Sequence, residues 1–207
     1  MNRRTCLDKA YSLKSGAETE AFYREWARSY DEELLAQGYA QPHRCAKALT
    51  DRLSDRASPV LDVGCGTGLS GQALSDAGFN VIDGCDFSRE MLEKADRRSI
   101  YRSLFQADLN RPPLPCEDNA YNAALAVGVF SYGHVSPDAL EEILRVLKPG
   151  GALIVGVNGH FYEEGSLRAK VDDLALRKEL VVLAWEHGDH IPGADLDGWV
   201  LRAERAR

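Results

Sequence analysis

The sequence contains no long apolar run. No stretch approaches the roughly 20 consecutive apolar residues that a membrane-spanning helix needs. The chain begins with Arg3 and Arg4 close to Met1, but the apolar segment of a secretory signal does not follow them. These absences predict a protein that neither spans a membrane nor is secreted, and we expect a soluble, cytoplasmic protein.

Paired cysteines are also missing. The five cysteines are odd in number and widely scattered, and no C-x-x-C pair indicates a zinc or redox site. We expect free thiols in a reducing cytosol. His187 and His190 lie close to Asp189, but without a third and fourth ligand at suitable spacing we predict no metal site.

The chain lacks an excess of positive charge. Lys and Arg total 25 against 32 Asp and Glu, so the formal net charge is -7 at pH 7. An acidic body of this kind gains no sequence-independent affinity for phosphate backbones, so we expect no nucleic-acid partner. Its 207 residues, 44% of them hydrophobic, suffice for one domain with a substantial core.

The sequence does have a regular alternation of short apolar runs and helical patterns. Five runs predict strands, at residues 60–63, 80–84, 100–106, 121–127 and 152–157. Helical patterns precede and separate them, at residues 19–38, 44–53, 69–77, 88–95 and 136–147. This alternation predicts βαβ units with right-handed crossovers.

The C-terminal part has a different pattern. A helix over 166–178 is predicted to precede strands at 180–185 and 198–203, which flank a polar loop at 187–197. We therefore predict an α/β fold with a doubly wound, Rossmann-like sheet of seven strands. The sheet is expected to be mostly parallel, with a C-terminal antiparallel hairpin and helices on both faces.

The most distinctive segment, LDVGCGTG at residues 61–68, follows the first predicted strand. In a doubly wound sheet this turn faces the ligand crevice. Glycines there let the backbone approach a ligand that side chains would exclude. Asp62 would repel a pyrophosphate at this position but could hold an ammonium group, directly or through water.

Two further acids follow the next strands. Asp86 ends the second strand, 20 residues after Gly66, where an acid typically binds the two hydroxyls of a ribose. Asp108 follows the third strand and could accept a hydrogen bond from the amine of adenine. Together with Asp62, these acids suit a ligand with a free amine, a ribose and an adenine but no phosphate. That description matches S-adenosylmethionine better than a dinucleotide.

A dinucleotide-binding alternative remains, because residues 66–71 also fit G-x-G-x-x-G. The register of this match is poor, since the strand ends at Val63 and the first glycine of the turn is Gly64. No hydride-transfer site is evident, so an NAD(P)-binding Rossmann protein is the less favoured interpretation.

Three segments resemble motifs of the class I S-adenosylmethionine-dependent methyltransferases. Residues 60–68 resemble motif I, and residues 84–88 with Met91 and Leu92 resemble the ribose-binding motif II. Residues 144–151 resemble the segment before the fifth strand. A narrower similarity, to the Williams–Beuren-region methyltransferase-like proteins, rests on residues 22–31, 38–39 and 127–135.

The resemblance implies S-adenosylmethionine as cofactor, S-adenosylhomocysteine as product, and a set of binding residues. These are Tyr30, Asp62, Gly64, Cys65, Gly66, Asp86, Phe87, Met91, Asp108, Leu109 and Val127. The backbone of 64–66 and Val127 would adjoin the methionine part, whose amine Asp62 would hold through water. Asp86 would bind the ribose, with Phe87 against the adenine and Asp108 and Leu109 at its amine.

The same resemblance implies a division of the chain. Residues 1–57 would form an N-terminal helical lid, in which Tyr30 folds over the cofactor. Residues 58–207 would form the S-adenosylmethionine-binding domain as one compact unit. This leaves no room for a dedicated recognition domain, so we expect a small-molecule methyl acceptor.

Methyl transfer is an in-line displacement, in which proximity and alignment supply much of the barrier reduction and a general base is optional. Tyr30, His134 and His160 are the candidate catalytic residues, although either histidine could equally be a solvated loop residue. Phe130 and Tyr132 are better interpreted as packing residues. A non-catalytic scaffold or regulatory protein that binds the cofactor would show the same motifs, and the sequence leaves the oligomeric state open.

Overall fold

The computed structural model describes residues 30–131 and 135–207, and its elements form an α/β fold. The strands are β1 (Val60–Val63), β2 (Ile82–Asp86), β3 (Ser103–Gln106), β4 (Tyr121–Val127), β5 (Leu147–Asn158), β6 (Leu180–Ile191) and β7 (Leu196–Arg205). The helices are α1 (Tyr30–Ala36), α2 (Gln41–Arg52), α3 (Leu69–Asp76), α4 (Arg89–Asp96), α5 (Ala139–Val146), α6 (Gly159–Glu164) and α7 (Ser166–Leu176). A short 3-10 turn at Pro192–Ala194 joins β6 to β7.

The strands form one seven-stranded sheet in the order β3-β2-β1-β4-β5-β7-β6. The first five strands pair in parallel, whereas β7 is antiparallel to both β5 and β6. The strand order reverses between β1 and β4. The carboxyl ends of these strands therefore border the crevice in which open α/β sheets bind their ligands.

Both faces of the sheet are covered, which explains the continuous apolar runs of the central strands. One face buries Leu61 and Val155 against α5 and α7, and the other buries Val60 against Leu49 of α2 and Leu74 of α3. The predicted fold class, with its seven strands and its C-terminal hairpin, is confirmed.

Several predicted boundaries are wrong. The polar loop expected at 187–197 is largely strand, because the antiparallel pairing of β6 with β7 continues through Asp189 and Asp197 and leaves only residues 192–195 outside the strands. The fifth strand, predicted to begin at residue 152, already begins at Leu147, which pairs with Tyr121. α5 itself begins at Ala139 rather than at Ser136, whose hydroxyl accepts from the Asp138 N–H in the turn before the helix.

The N-terminal prediction is tested only in part. α2 spans Gln41–Arg52, close to the predicted 44–53, and α1 falls within the first predicted helix. Residues 19–29 of that helix lie outside the described residues.

Candidate cofactor site

The glycine loop follows β1 at the crevice. Gly64, Gly66 and Gly68 all have positive φ angles (62°, 54° and 88°), a conformation that side chains rarely adopt. Among residues 30–131 and 135–207, no atom lies within 4 Å of the position that a Cβ at Gly66 would occupy. The loop therefore presents open backbone to the crevice, as a ligand-binding turn requires.

Asp86 joins the end of β2 to this loop. Its Oδ2 accepts a hydrogen bond from the Gly66 N–H over 2.8 Å, and its Oδ1 accepts one from the Ser88 N–H over 2.8 Å. Burial raises the pKa of the Asp86 carboxyl, and the backbone N–H groups act in the opposite direction. Each carboxylate oxygen keeps a further lone pair, so Asp86 can still accept from the hydroxyls of a ribose.

Asp62 lies beneath the loop and is fully buried. The Ser70 hydroxyl donates to its two oxygens at 2.8 Å, and the Tyr101 hydroxyl donates to Oδ2 over 2.7 Å. Burial raises the pKa of the Asp62 carboxyl to about 7, although both hydroxyls act to lower it. The carboxylate thus has protein partners of its own, and its role toward the cofactor amine stays a prediction.

The sequence did not predict Tyr101 as part of this region. Its ring fills space that two glycines leave empty: a Cβ at Gly71 would overlap the Tyr101 hydroxyl, and one at Gly84 would lie 2.8 Å from the ring. Gly71 is the last glycine of the G-x-G-x-x-G match, so here that position makes room for a side chain of the protein itself. The glycines indicated that another group lies close to the backbone here, but nothing in the sequence pattern identified that group as Tyr101.

The adenine-side candidates cluster at the ends of β2 and β3. Phe87 is 50% exposed, unusual for a large aromatic residue, and it directly follows Asp86. The Asp108 carboxylate accepts from the Asn110 N–H over 2.9 Å, while Met91 and Leu109 are buried. The structure therefore groups these residues around one end of the crevice, with the Phe87 ring available as a flat surface.

The methionine-side candidates lie where β1 and β4 end. The Cys65 thiol is buried, and burial raises its pKa, so the residue can serve a ligand only through its backbone. Val127 ends β4 and is half-buried. A Cβ at Gly64 would lie 2.6 Å from the Val129 side chain, so the segment after β4 packs directly on the glycine loop.

Only some of the candidate catalytic side chains lie in the described part of the chain. Tyr30 begins α1, but its side chain lies outside the described part of the chain, as do Tyr132 and His134. His160 is exposed at the start of α6, just past the carboxyl end of β5. Phe130 is fully buried, which confirms its interpretation as a packing residue.

A second unpredicted pair borders the crevice near β4. The Tyr39 hydroxyl lies 3.3 Å from the position of a Cβ at Gly128, immediately after Val127. The Tyr39 ring meets the His190 ring edge-on, at 5.3 Å between centroids. His190 is buried, and this burial, aided by the Arg44 charge, lowers its pKa to about 4. A neutral imidazole therefore supports the one aromatic residue of the α1–α2 connection.

A metal site is absent from residues 30–131 and 135–207, where no group of three or more His, Cys, Asp or Glu residues is placed to hold a metal ion. His187 instead bonds to Asp197, with 2.7 Å between Nε2 and Oδ2. No helix within the same residues is both long and apolar enough to cross a membrane.

Comparison with known families now decides between the two ligand classes. Residues 60–151 match the family model of a methyltransferase domain. The comparisons support a class I S-adenosylmethionine-dependent methyltransferase. The cofactor of this family is S-adenosylmethionine, so the NAD(P)-binding interpretation is set aside.

Two relatives illustrate the match. It is 36% identical to human methyltransferase-like protein 27 over 144 residues, which are 69% of this chain and 58% of that protein. It is 33% identical to the demethylmenaquinone methyltransferase of Paenarthrobacter aurescens over 159 residues, 74% of this chain and 60% of that one. The chain thus spans less than two thirds of the length of these relatives.

Solved structures agree on the fold. A Haloferax volcanii methyltransferase in complex with the Trm112 methyltransferase activator aligns with a TM-score of 0.65 and 20% identity, covering 89% of this chain and 95% of that one. An S-adenosylmethionine-dependent methyltransferase from Thermotoga maritima aligns with a TM-score of 0.64 and 19% identity, covering 89% and 98%.

The residues present fit the family's cofactor. The described residues leave the space above Gly66 open, the Asp86 carboxylate has lone pairs left for a ribose, and the Phe87 ring is exposed beside Asp86. The arrangement therefore agrees with the chemistry expected of a nucleoside that carries no phosphate.

Proposed function

We propose that this chain transfers a methyl group from S-adenosylmethionine to a small-molecule acceptor. Bound in the crevice, the cofactor would supply a methyl group on a positively charged sulfur. A lone pair of the acceptor forms the new bond to carbon, the pair of the broken C–S bond stays on sulfur, and the acceptor releases its proton to a base or to water. The products are the methylated acceptor and S-adenosylhomocysteine.

The observation that carries this proposal is the position of Asp86. Its carboxylate is held at the end of β2 by the Gly66 and Ser88 N–H groups, next to the open side of the glycine loop. Because the carboxylate is already fixed, it can accept hydrogen bonds from both ribose hydroxyls, and the Asp86 side chain loses little conformational freedom on binding.

The remaining contacts follow from the same placement. In our proposal the backbone of Gly64, Cys65 and Gly66 contacts the methionine part, with Val127 beside it. Asp62 acts on the amine through water. The adenine end is bound by the residues grouped at β2 and β3, which are Phe87, Met91, Asp108 and Leu109.

We further propose that residues 1–57 act as a lid on the domain formed by 58–207. In the described part of this segment, α1 lies between the glycine loop and the β6–β7 turn. Its two ends bond to Thr67 and to Gly193. Tyr30 would cover the cofactor, while His134 and His160 are positioned in sequence to face the acceptor from β4 and β5.

The small-molecule class of the acceptor is supported by the names of relatives. The protein from Paenarthrobacter aurescens is named for methylation of demethylmenaquinone, a small organic molecule. The net charge of -7 also disfavours a polyanionic acceptor. We place the protein in the cytoplasm, where reduced cysteines such as the buried Cys45 and Cys85 are normal.

A two-stage experiment tests this function. Calorimetry should detect binding of S-adenosylhomocysteine but not of NAD. Methyl-labelled S-adenosylmethionine is then incubated with a panel of small quinols, phenols, amines and thiols, with Asp86→Ala protein as the matched control. Label transfer that the Asp86→Ala protein loses would support the proposal. Binding without transfer to any small molecule would favour the non-catalytic alternative, and binding of NAD alone would overturn the cofactor assignment.

A further inference from the structure

The side chain of Asp31, in the first turn of α1, reaches the glycine loop. The Thr67 hydroxyl donates to Asp31 Oδ1 over 2.5 Å, and Arg98 Nη2 donates to Oδ2 over 2.5 Å. Both carboxylate oxygens of Asp31 are therefore engaged, one by the loop and one by the segment after α4.

Arg98 completes a ring of contacts around Thr67. Its Nε donates to the Thr67 carbonyl over 2.6 Å, so Thr67 is bound through its hydroxyl and its backbone at once. This approach depends on Gly68, since a Cβ there would lie 2.9 Å from Arg98 Cδ. We call Asp31, Thr67 and Arg98 the loop cluster.

The hydrogen bonds of the loop cluster are partly shielded from water, which strengthens them. The side chains of Asp31 and Arg98 are only 30% and 23% exposed. An exposed ion pair of this kind contributes little, but charge-assisted hydrogen bonds that are partly withdrawn from water are stronger. Thr67 itself is buried, so its hydroxyl relies on Asp31 as a partner.

The opposite end of α1 is fixed separately. The Gly193 N–H donates to the Gln37 carbonyl over 2.9 Å, and the Ala40 N–H donates to the His190 carbonyl over 2.9 Å. These backbone bonds hold the α1–α2 connection to the β6–β7 hairpin. The end of α1 that meets the glycine loop is held by side chains, whereas the end at the hairpin is held by the main chain.

We propose that Asp31 is a positioning residue for the cofactor, which couples the docking of α1 to the shape of the glycine loop. Asp31 does not touch the cofactor in this role. It holds Thr67, and with it the neighbouring Gly66 whose N–H bonds to Asp86. Cofactor release then requires the loop cluster to break while the hairpin end stays attached. This inference rests on the proposed function, because it assigns a role within the same cofactor site.

The test measures S-adenosylhomocysteine binding in the full chain by calorimetry, with dissociation rates from stopped flow. Asp31→Asn and Arg98→Gln should each raise the Kd about fivefold to twentyfold, mainly through faster dissociation. The loss of affinity in the double variant should be smaller than the sum of the two single losses, because Asp31 and Arg98 share the bond between them and both hold Thr67. Thr67→Val should behave like Asp31→Asn, while Thr67→Ser, which keeps the hydroxyl, should bind like the unaltered chain.

Glu32→Gln is the matched control, since it makes the same change at the next, exposed position of α1. Hydrogen exchange separates positioning from misfolding: residues 31–36 and 65–68 should lose protection in Asp31→Asn while β1 and β4 keep theirs. Unchanged Kd values, or additive losses in the double variant, would overturn the inference and leave the proposed function standing. If the unaltered chain bound no S-adenosylhomocysteine, both would fall.

Discussion

The Tyr101 hydroxyl donates to the buried carboxylate of Asp62 over 2.7 Å, across 39 residues of sequence. The contact fits only because Gly71 and Gly84 leave space for the Tyr101 ring. With the Ser70 hydroxyl on the same carboxylate, it ties the end of β1 to the start of α3 and to the segment before β3. The glycine loop is thus supported from below by a polar network inside the core.

Removal of the Tyr101 hydroxyl is expected to destabilise the protein. Tyr101→Phe keeps the ring but leaves the buried Asp62 with one donor fewer, which typically costs about 1–3 kcal/mol. The loss should be largest above pH 7, where the carboxyl is ionised and needs its donors most. Urea unfolding at pH 5 and pH 8 measures the difference.

Tyr162→Phe, at a half-buried tyrosine on α6, is the control for this change. An equal loss of stability for Tyr101→Phe at both pH values would show that the hydroxyl does not act through the charge on Asp62.

Substitution of Asp86 is expected to weaken cofactor binding more than it weakens the fold. Asp86→Ala removes an acceptor that would bond to the ribose hydroxyls, and loss of such charge-assisted bonds costs roughly 1.5–3 kcal/mol, about tenfold to a hundredfold in Kd. Calorimetry with S-adenosylhomocysteine measures it, with Asp96→Asn on the exposed side of α4 as control. Unchanged affinity would exclude Asp86 as the ribose ligand.

The contrast between Asp86 and Tyr101 shows what sequence patterns can predict. The position of Asp86 beside the glycine loop could be predicted because it depends on local order: a strand, an acid at its end, and a fixed distance from a glycine turn. Tyr101 and Arg98 act on the same loop from a segment without a motif, and their contacts are set by how α4 and β3 pack. Such long-range contacts leave no periodic signal in one sequence.

The hairpin shows a second limit. Residues 187–190 are polar, which indicated a loop, but β6 is an edge strand whose side chains are largely solvated. An edge strand can therefore carry polar residues without a hydrophobic pattern, and only its pairing with β7 reveals it.

His190 is expected to make the protein less stable in acid. Its pKa is about 4 in the folded state against 6.5 in an open chain, because burial and the Arg44 charge disfavour the protonated imidazole. Between these values the unfolded chain binds more protons, so the free energy of unfolding falls as pH drops from 6.5 to 4. Over this pH range the contribution of His190 lowers the free energy of unfolding by about 3 kcal/mol.

His190→Leu should flatten this acid slope, and His43→Leu, on the exposed face of α2, should not. Thermal unfolding between pH 4 and pH 7 measures both. An unchanged slope in His190→Leu would mean that the imidazole is already protonated, and hence hydrated, in the folded protein.

Asp62 is expected to act in the opposite direction over nearly the same range. Its carboxyl has a pKa of about 7 in the folded state against 3.8 in an open chain, since burial disfavours the charge more than its hydroxyl donors favour it. The folded protein therefore binds more protons between pH 4 and pH 7, and this group's contribution to the free energy of unfolding falls as pH rises through that window. Asp62→Asn removes the contribution, so the stability of this variant relative to the unaltered chain should increase from pH 4 to pH 7. A relative stability that does not change with pH would show that Asp62 is ionised throughout. In that case a bound ammonium group would meet a carboxylate that is already charged. A protonated Asp62 carboxyl would first have to lose its proton.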